Sequence, residues 1–199
     1  GSEIKIKVLR DGKEIEKNFK REEITLGNVP YSGMIKDEIG YIKLNEFTKD
    51  ASNNVLNAFK ELKSKNPNIK GLILDLRANG GGLLTDAVNI VNIFVDKGQN
   101  IVSTKGKIAE KNQSFKTQYP SVDKNIPIVV LVDNYSASAS EIVAGSLQDL
   151  DRAVIMGQRT YGKGLVQNII PLTYNAQMKV TISKYYIPSG RCIQAIDYS

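Results

Sequence analysis

The sequence contains no histidine. That absence excludes Ser-His-Asp and Cys-His triads, because the general base of each is an imidazole, and it removes the commonest zinc ligand. There is a single cysteine, Cys192, so no disulfide can form within the chain. No apolar run approaches the roughly 18 residues of a membrane-spanning helix, and the first residues do not read as a signal peptide. Low-complexity tracts, internal repeats and coiled-coil heptads are also missing. Nor is there a stripe of one charge. The net charge is +6, with 27 Lys and Arg interspersed among 21 Asp and Glu. That describes a solvated surface rather than a nucleic-acid face. What remains, at 199 residues and 41% hydrophobic content, is one domain, or one plus a fragment, with a sizeable core.

Residues 3–8 alternate polar and apolar, Asp11-Gly12 is a hairpin turn, and residues 13–19 supply the return strand. Two strands alone bury too little to be stable, so this hairpin is expected to lean on something else. Residues 17–23 read as a charged connector and 29–33 as a turn-rich link. From Gly40 the pattern changes. Residues 41–44 read as a strand. Residues 51–65 read as an amphipathic helix with Val55, Phe59 and Leu62 on one face, stopping before Pro67. Strands are predicted at 71–76, 126–132 and 153–156, near 167–172 and 178–187, and briefly at 101–102 with a return after Gly106. Helices are predicted at 84–95 and 138–150. This alternation predicts an α/β fold with a largely parallel central sheet covered by helices.

One stretch organises the rest. The apolar run Ile126-Pro-Ile-Val-Val-Leu-Val-Asp133 breaks into Asn134-Tyr-Ser-Ala-Ser-Ala-Ser-Glu141. That is a buried strand ending at a helix N-terminus, where free N–H groups and the helix dipole stabilise negative charge. Ser136, Ser138 and Ser140 compete as nucleophiles, while Ser138-Ala-Ser-Glu141 also fits the capping box S-x-x-E, which would make Ser138 a cap. A nucleophilic serine needs a base. Lys163 is the candidate, between two glycines and ahead of an apolar run. A lysine has a lone pair only when deprotonated, which desolvation favours. Gln167 is placed to hydrogen-bond the amine without adding charge. The same lysine ends Gly157-Gln-Arg-Thr-Tyr-Gly-Lys163, which satisfies G-x-x-x-x-G-K. However, Gly164 stands where a phosphate loop needs Ser or Thr, and a strand follows where a helix is required. A third stretch, Asp75-Leu-Arg-Ala-Asn-Gly-Gly-Gly82, ends in more glycines than a tight connection needs. Its N–H groups, paired with those after Ser138, suit an oxyanion hole.

Asp75-Leu-Arg-Ala-Asn-Gly-Gly-Gly82, Asn134-Tyr-Ser-Ala-Ser-Ala-Ser-Glu141, Gly162-Lys-Gly-Leu-Val-Gln167 and Tyr186-Ile-Pro-Ser-Gly-Arg191 resemble, in order, the successive motifs of the carboxyl-terminal processing (tail-specific) proteases. The resemblance runs from about residue 40 to the end. It implies an α/β fold of the Clp protease and crotonase type, a curled, largely parallel β-sheet flanked by helices. It implies a serine endopeptidase with Ser138 as nucleophile, Lys163 as base and Gln167 orienting the lysine. The oxyanion donors would be the N–H of Ala139 and of a glycine in the triple-glycine turn, Gly81 being favoured. Neither cofactor nor metal is implied.

By the same resemblance, residues 1–24 are the last strands of a PDZ domain, 25–39 a linker and 40–199 the protease core. The chain would then be shortened at both ends. Substrates would be proteins or peptides with exposed C-termini, with no nucleic-acid partner and with homo-oligomers left open. Placement would be in the cell envelope, periplasmic or otherwise extracytoplasmic. Gly80 departs from the family pattern, which often has proline or serine there. Two other readings stay open on the residues alone. One is a binding or scaffolding module that does not turn over. The other is a crotonase-like acyl-CoA enzyme, which needs an acidic group near the glycine turn, and the sequence singles out none.

Overall fold

The computed structural model describes residues 1–22, 27–36 and 38–196. The linker expected at 25–39 and the connector at 17–23 fall partly outside these residues, as do the last three positions. Among the described residues, eleven strands form three sheets, and three α-helices pack with them. Strands β1 (Glu3–Arg10) and β2 (Lys13–Lys20) make the hairpin expected around Asp11-Gly12, with Val8 opposite Ile15 and Ile4 opposite Phe19. Ile6, Val8, Ile15 and Phe19 stay exposed on it.

The central sheet runs β3 (Tyr31–Ile35), β4 (Ile39–Lys43), β5 (Gly71–Asp75), β8 (Ile128–Val132), β9 (Val154–Gly157). Strands β4, β5, β8 and β9 are parallel, and β3 is an antiparallel edge. The strand β3 corrects the sequence reading. Pro30 and Gly33 suggest a turn, but at a sheet edge both are tolerated, since an edge strand has one side free of ladder bonds. A second sheet, wholly antiparallel, was also unforeseen. Its order is β10 (Leu165–Pro171), β11 (Gln177–Tyr186), β6 (Asn100–Gly106), β7 (Gln113–Lys116).

Helix α1 (Ala51–Lys65) buries Val55, Phe59 and Leu62 and packs on β3 and β4. Lys63 and Lys65 in its last turn suit the negative end of the helix dipole. Helix α2 (Leu84–Phe94) is buried on nearly every side, as its apolar composition requires, and lies between α1 and α3 (Ala139–Asp149). Phe59 and Phe94 meet edge to face at 5.4 Å between ring centroids. Each is fully buried, and such burial contributes about 1.5–3 kcal/mol per side chain. Asp86 on α2 accepts hydrogen bonds from the N–H and hydroxyl of Ser52, both at 2.9 Å, and so caps the start of α1 from a neighbouring helix.

The register decides where chemistry can happen. Lys43 pairs with Asp75, Asp75 with Leu131, and Val132 with Gly157. Four parallel strands therefore end together, and the chain leaves them at one edge of the sheet. The segments after β4, β5, β8 and β9 all emerge there, at the carboxyl ends where open α/β sheets bind ligands.

Candidate active site

The three serines of the turn after β8 are separated by their surroundings. Ser136 and Ser140 are wholly buried. The Ser136 hydroxyl donates to the Leu76 carbonyl at 2.8 Å and accepts from the Asp133 N–H at 2.9 Å. The Ser140 hydroxyl donates to the Asn79 carbonyl at 2.9 Å. Both staple the serine turn to the glycine turn. Ser138 alone is partly open to solvent. It sits with φ 55° and ψ −111°, a conformation that a non-glycine residue adopts only when its surroundings compel it. The surroundings here are the staples on either side. Ala137 N–H also donates to the Asn79 carbonyl, at 3.0 Å.

Asp133 fastens the same junction. Its carboxylate accepts from the N–H groups of Ala78, Tyr135 and Ser136, each at 3.0 Å. Burial pushes this carboxyl up, but those N–H donors outweigh burial and hold it below the ordinary carboxylate value. Asp75, at the end of β5, is a second anchor. It accepts from the Tyr41 hydroxyl at 2.5 Å, from the Arg77 guanidinium at 2.7 Å and from the Arg77 N–H at 2.9 Å. Lys43 lies 3.4 Å away and also donates to the Arg77 carbonyl. Burial pushes the Asp75 carboxyl up; Arg77, Tyr41 and Lys43 reverse this and hold it far below its usual range.

The glycine turn lies against Ser138. At Gly81 φ is +100°, and a Cβ there would stand 2.8 Å from Ser138 Cβ and 2.9 Å from Ala139 N. A side chain at 81 would run into the serine turn. Ala139 is the first residue of α3, so its N–H has no intrahelical acceptor. The Gly81 N–H donates to Asn79 Oδ1 at 2.9 Å. Of the two expected oxyanion donors, one is therefore open at a helix N-terminus and the other is occupied within its own loop.

In the sequence Glu141 reads only as the far half of a capping box, and that half is present, since Ser138 N–H donates to Glu141 Oε2 at 2.8 Å. The same buried carboxylate also accepts from Lys163 N–H at 2.8 Å, Gly162 N–H at 2.6 Å and the Thr160 hydroxyl at 2.8 Å. It thus joins the serine turn to the loop that carries the lysine. From the other side this loop is gripped by the C-terminal segment. Ala195 N–H donates to the Gly162 carbonyl at 2.9 Å, and Gly164 N–H donates to Gln194 Oε1 at 2.9 Å. At Gly162 φ is +84°, and a Cβ would collide with that of Ala195. Glycine there serves close packing, not the flexibility that the sequence suggests.

Lys163 is exposed and lines an open cavity of about 400 Å³ with Asn45, Glu46 and Gly80 to Gly82. The desolvating wall anticipated from the apolar run after it is absent, because β10 carries Ile169 and Ile170 away into an exposed hairpin. The side chains of Ser138 and Lys163 make no hydrogen bond to each other among the described residues. The Gln167 side-chain amide donates to Thr181 Oγ1 at 3.4 Å, across β10 and β11 just after a register shift, rather than to the lysine. Glu46 supplies the acidic group beside the glycine turn that the sequence did not reveal. Among the described residues no group of three or more His, Cys, Asp or Glu side chains is placed to hold a metal ion.

A partly open serine thus stands on a strained turn, at the carboxyl edge of a parallel sheet and the start of a helix, on an α/β core. The chain belongs to peptidase family S41, whose model matches residues 38–198. A carboxy-terminal-processing protease of Bartonella bacilliformis is 40% identical over 200 residues, covering 98% of this chain and 45% of that protein. A probable CtpA-like serine protease of Staphylococcus aureus is 37% identical over 193 residues, covering 96% of this chain and 38% of that one. The chain spans less than half the length of these relatives. Among solved structures, a photosystem II D1 C-terminal processing protease superimposes with a TM-score of 0.75 at 29% identity, covering 97% of this chain and 53% of that one. A putative S41 protease from Bacteroides fragilis shares the fold, with a TM-score of 0.71 at 18% identity, covering 95% of this chain and 55% of that chain.

Proposed function

We propose that the chain is the catalytic core of a serine endopeptidase that cleaves near the C-terminus of protein substrates through a Ser138–Lys163 dyad. The observation that carries this reading is the Glu141 carboxylate, which holds the backbone of both residues at once. In the cycle, neutral Lys163 takes the Ser138 proton and the alkoxide attacks the peptide carbonyl. The tetrahedral oxyanion is met by the Ala139 N–H and by a glycine-turn N–H, Gly81 serving once its bond to Asn79 is exchanged. The protonated lysine gives its proton to the leaving amine. Water, deprotonated by the same lysine, then releases the acyl group from Ser138. Lys163 is open to water in the free protein, so the desolvation that a neutral lysine needs comes from substrate filling the cavity above it. Gln167 orients the amine after leaving Thr181.

The β1–β2 hairpin we read as the end of a PDZ domain, with residues 25–39 linking it to a protease core at 40–199. Its exposed apolar side chains fit a fragment separated from its packing partners. Processing of substrates at their C-termini follows the name of one relative, a carboxy-terminal-processing protease, and extracytoplasmic placement is carried over from the motif resemblance alone. A binding module without turnover is the second reading, favoured by the exposure of Lys163 and the missing Ser138–Lys163 hydrogen bond. Mass spectrometry after exposure to a serine-reactive fluorophosphonate decides between them. The dyad predicts one adduct, mapped to the peptide containing Ser138. An unmodified protein, or an adduct elsewhere, rejects it.

A further inference from the structure

The segment between β4 and α1 has no role in the dyad, yet it is sewn to the glycine turn. Phe47 N–H donates to the Gly81 carbonyl at 3.0 Å, and Leu83 N–H donates to the Phe47 carbonyl at 2.7 Å. Phe47 and Gly82 form a parallel bridge. Phe47 points into the core, 1% exposed. Side chains alternate along an extended segment, so Glu46 faces outward, and it lines the cavity that also holds Lys163. Among the described residues Glu46 makes no ion pair. Among the described residues that line this cavity, Glu46 is the one acid.

A peptide whose scissile carbonyl reaches the Ala139 N–H has to lie across the glycine turn, and so passes Glu46. An exposed carboxylate that makes no ion pair attracts lysine or arginine and repels acids. We propose that Glu46 is a specificity-determining residue, selecting substrates that carry a basic side chain next to the scissile bond. The proposal rests on the peptidase reading for its substrate.

Matched peptides with Lys, norleucine or Glu, scanned through the positions on both sides of the cleaved bond, test it. At one position the wild-type protein should prefer Lys over norleucine by about fivefold in kcat/KM, the upper end for a solvent-screened ion pair. The preference should shrink as salt is raised. It should fall to about unity in Glu46→Gln and turn toward Glu in Glu46→Lys. The same ratios, read as Kd by fluorescence anisotropy with labelled peptides on Ser138→Ala, do not depend on turnover. If no position shows a charge preference, or if the preference survives Glu46→Lys, the proposal is overturned. If the wild-type protein cleaves none of the peptides, the peptidase reading fails, and the binding ratios still decide on Glu46.

Discussion

Ser138 and Lys163 hang their backbone N–H groups on the same oxygen, Glu141 Oε2, each at 2.8 Å. A single buried side chain thus sets the spacing between the end of β8 and the loop after β9. No side-chain contact between serine and lysine is needed in the free protein for the two to stay in register. Catalytic hydrogen bonds are often long or unmade before substrate binds.

Glu141→Gln tests this coupling. The glutamine amide turns an NH2 toward N–H donors that need acceptors, and leaving such groups unpaired costs about 1–3 kcal/mol. A fall in kcat/KM of about 100-fold is expected, carried by kcat, with KM little changed. Steady-state kinetics and urea denaturation check the two parts. Full activity in a folded Glu141→Gln protein would show that the clamp does not position the dyad.

The three serines should divide cleanly. Ser136→Ala and Ser140→Ala each leave a buried carbonyl, of Leu76 or Asn79, without its hydroxyl donor. Each carbonyl keeps a backbone N–H donor, so each variant is expected to lose about 0.5–1.5 kcal/mol of stability while still reacting with a fluorophosphonate at low temperature. Ser138→Ala should lose the labelling and little of the stability. Labelling that vanished with Ser136 or Ser140 in a folded protein would move the nucleophile.

Much of this was legible in residues. Helix α1 follows from the spacing of Val55, Phe59 and Leu62 and from Pro67 after it. Strands β5 and β8 follow from their unbroken apolar runs, and the hairpin from Asp11-Gly12. What escaped was decided by pairing over long separations. Strand β6 finds β11 across most of the second half of the chain, and no local pattern names that partner. Ser138 and Lys163 stand out because small residues surround each. Glu141 looks like a helix cap because its bonds to Thr160, Gly162 and Lys163 exist only in the folded chain. Glu46 is one surface acid among many until the glycine turn is laid beside it.

Asp75 should make the protein sensitive to acid. Its folded-state value lies far below the ordinary value near 3.9, because Arg77, Tyr41 and Lys43 overcome burial. A depressed carboxyl contributes stability that is fully present above the unfolded value and is lost as pH falls through and below it. Asp75→Asn is therefore expected to cost about 2 kcal/mol near pH 6. The gap between variant and wild type should narrow as pH falls below about 4. Urea denaturation at several pH values measures it, and a gap constant down to acid pH would contradict the assignment.

The dyad itself is tested most directly at Lys163, by kcat/KM on a neutral peptide for the wild-type protein, Lys163→Ala and Lys163→Arg. A guanidinium keeps a positive charge but has no lone pair to take the Ser138 proton at any working pH. The account predicts that Lys163→Arg is as inactive as Lys163→Ala. Substantial activity in Lys163→Arg would mean that the lysine acts only as a positive charge, and the Ser138–Lys163 dyad would have to be abandoned.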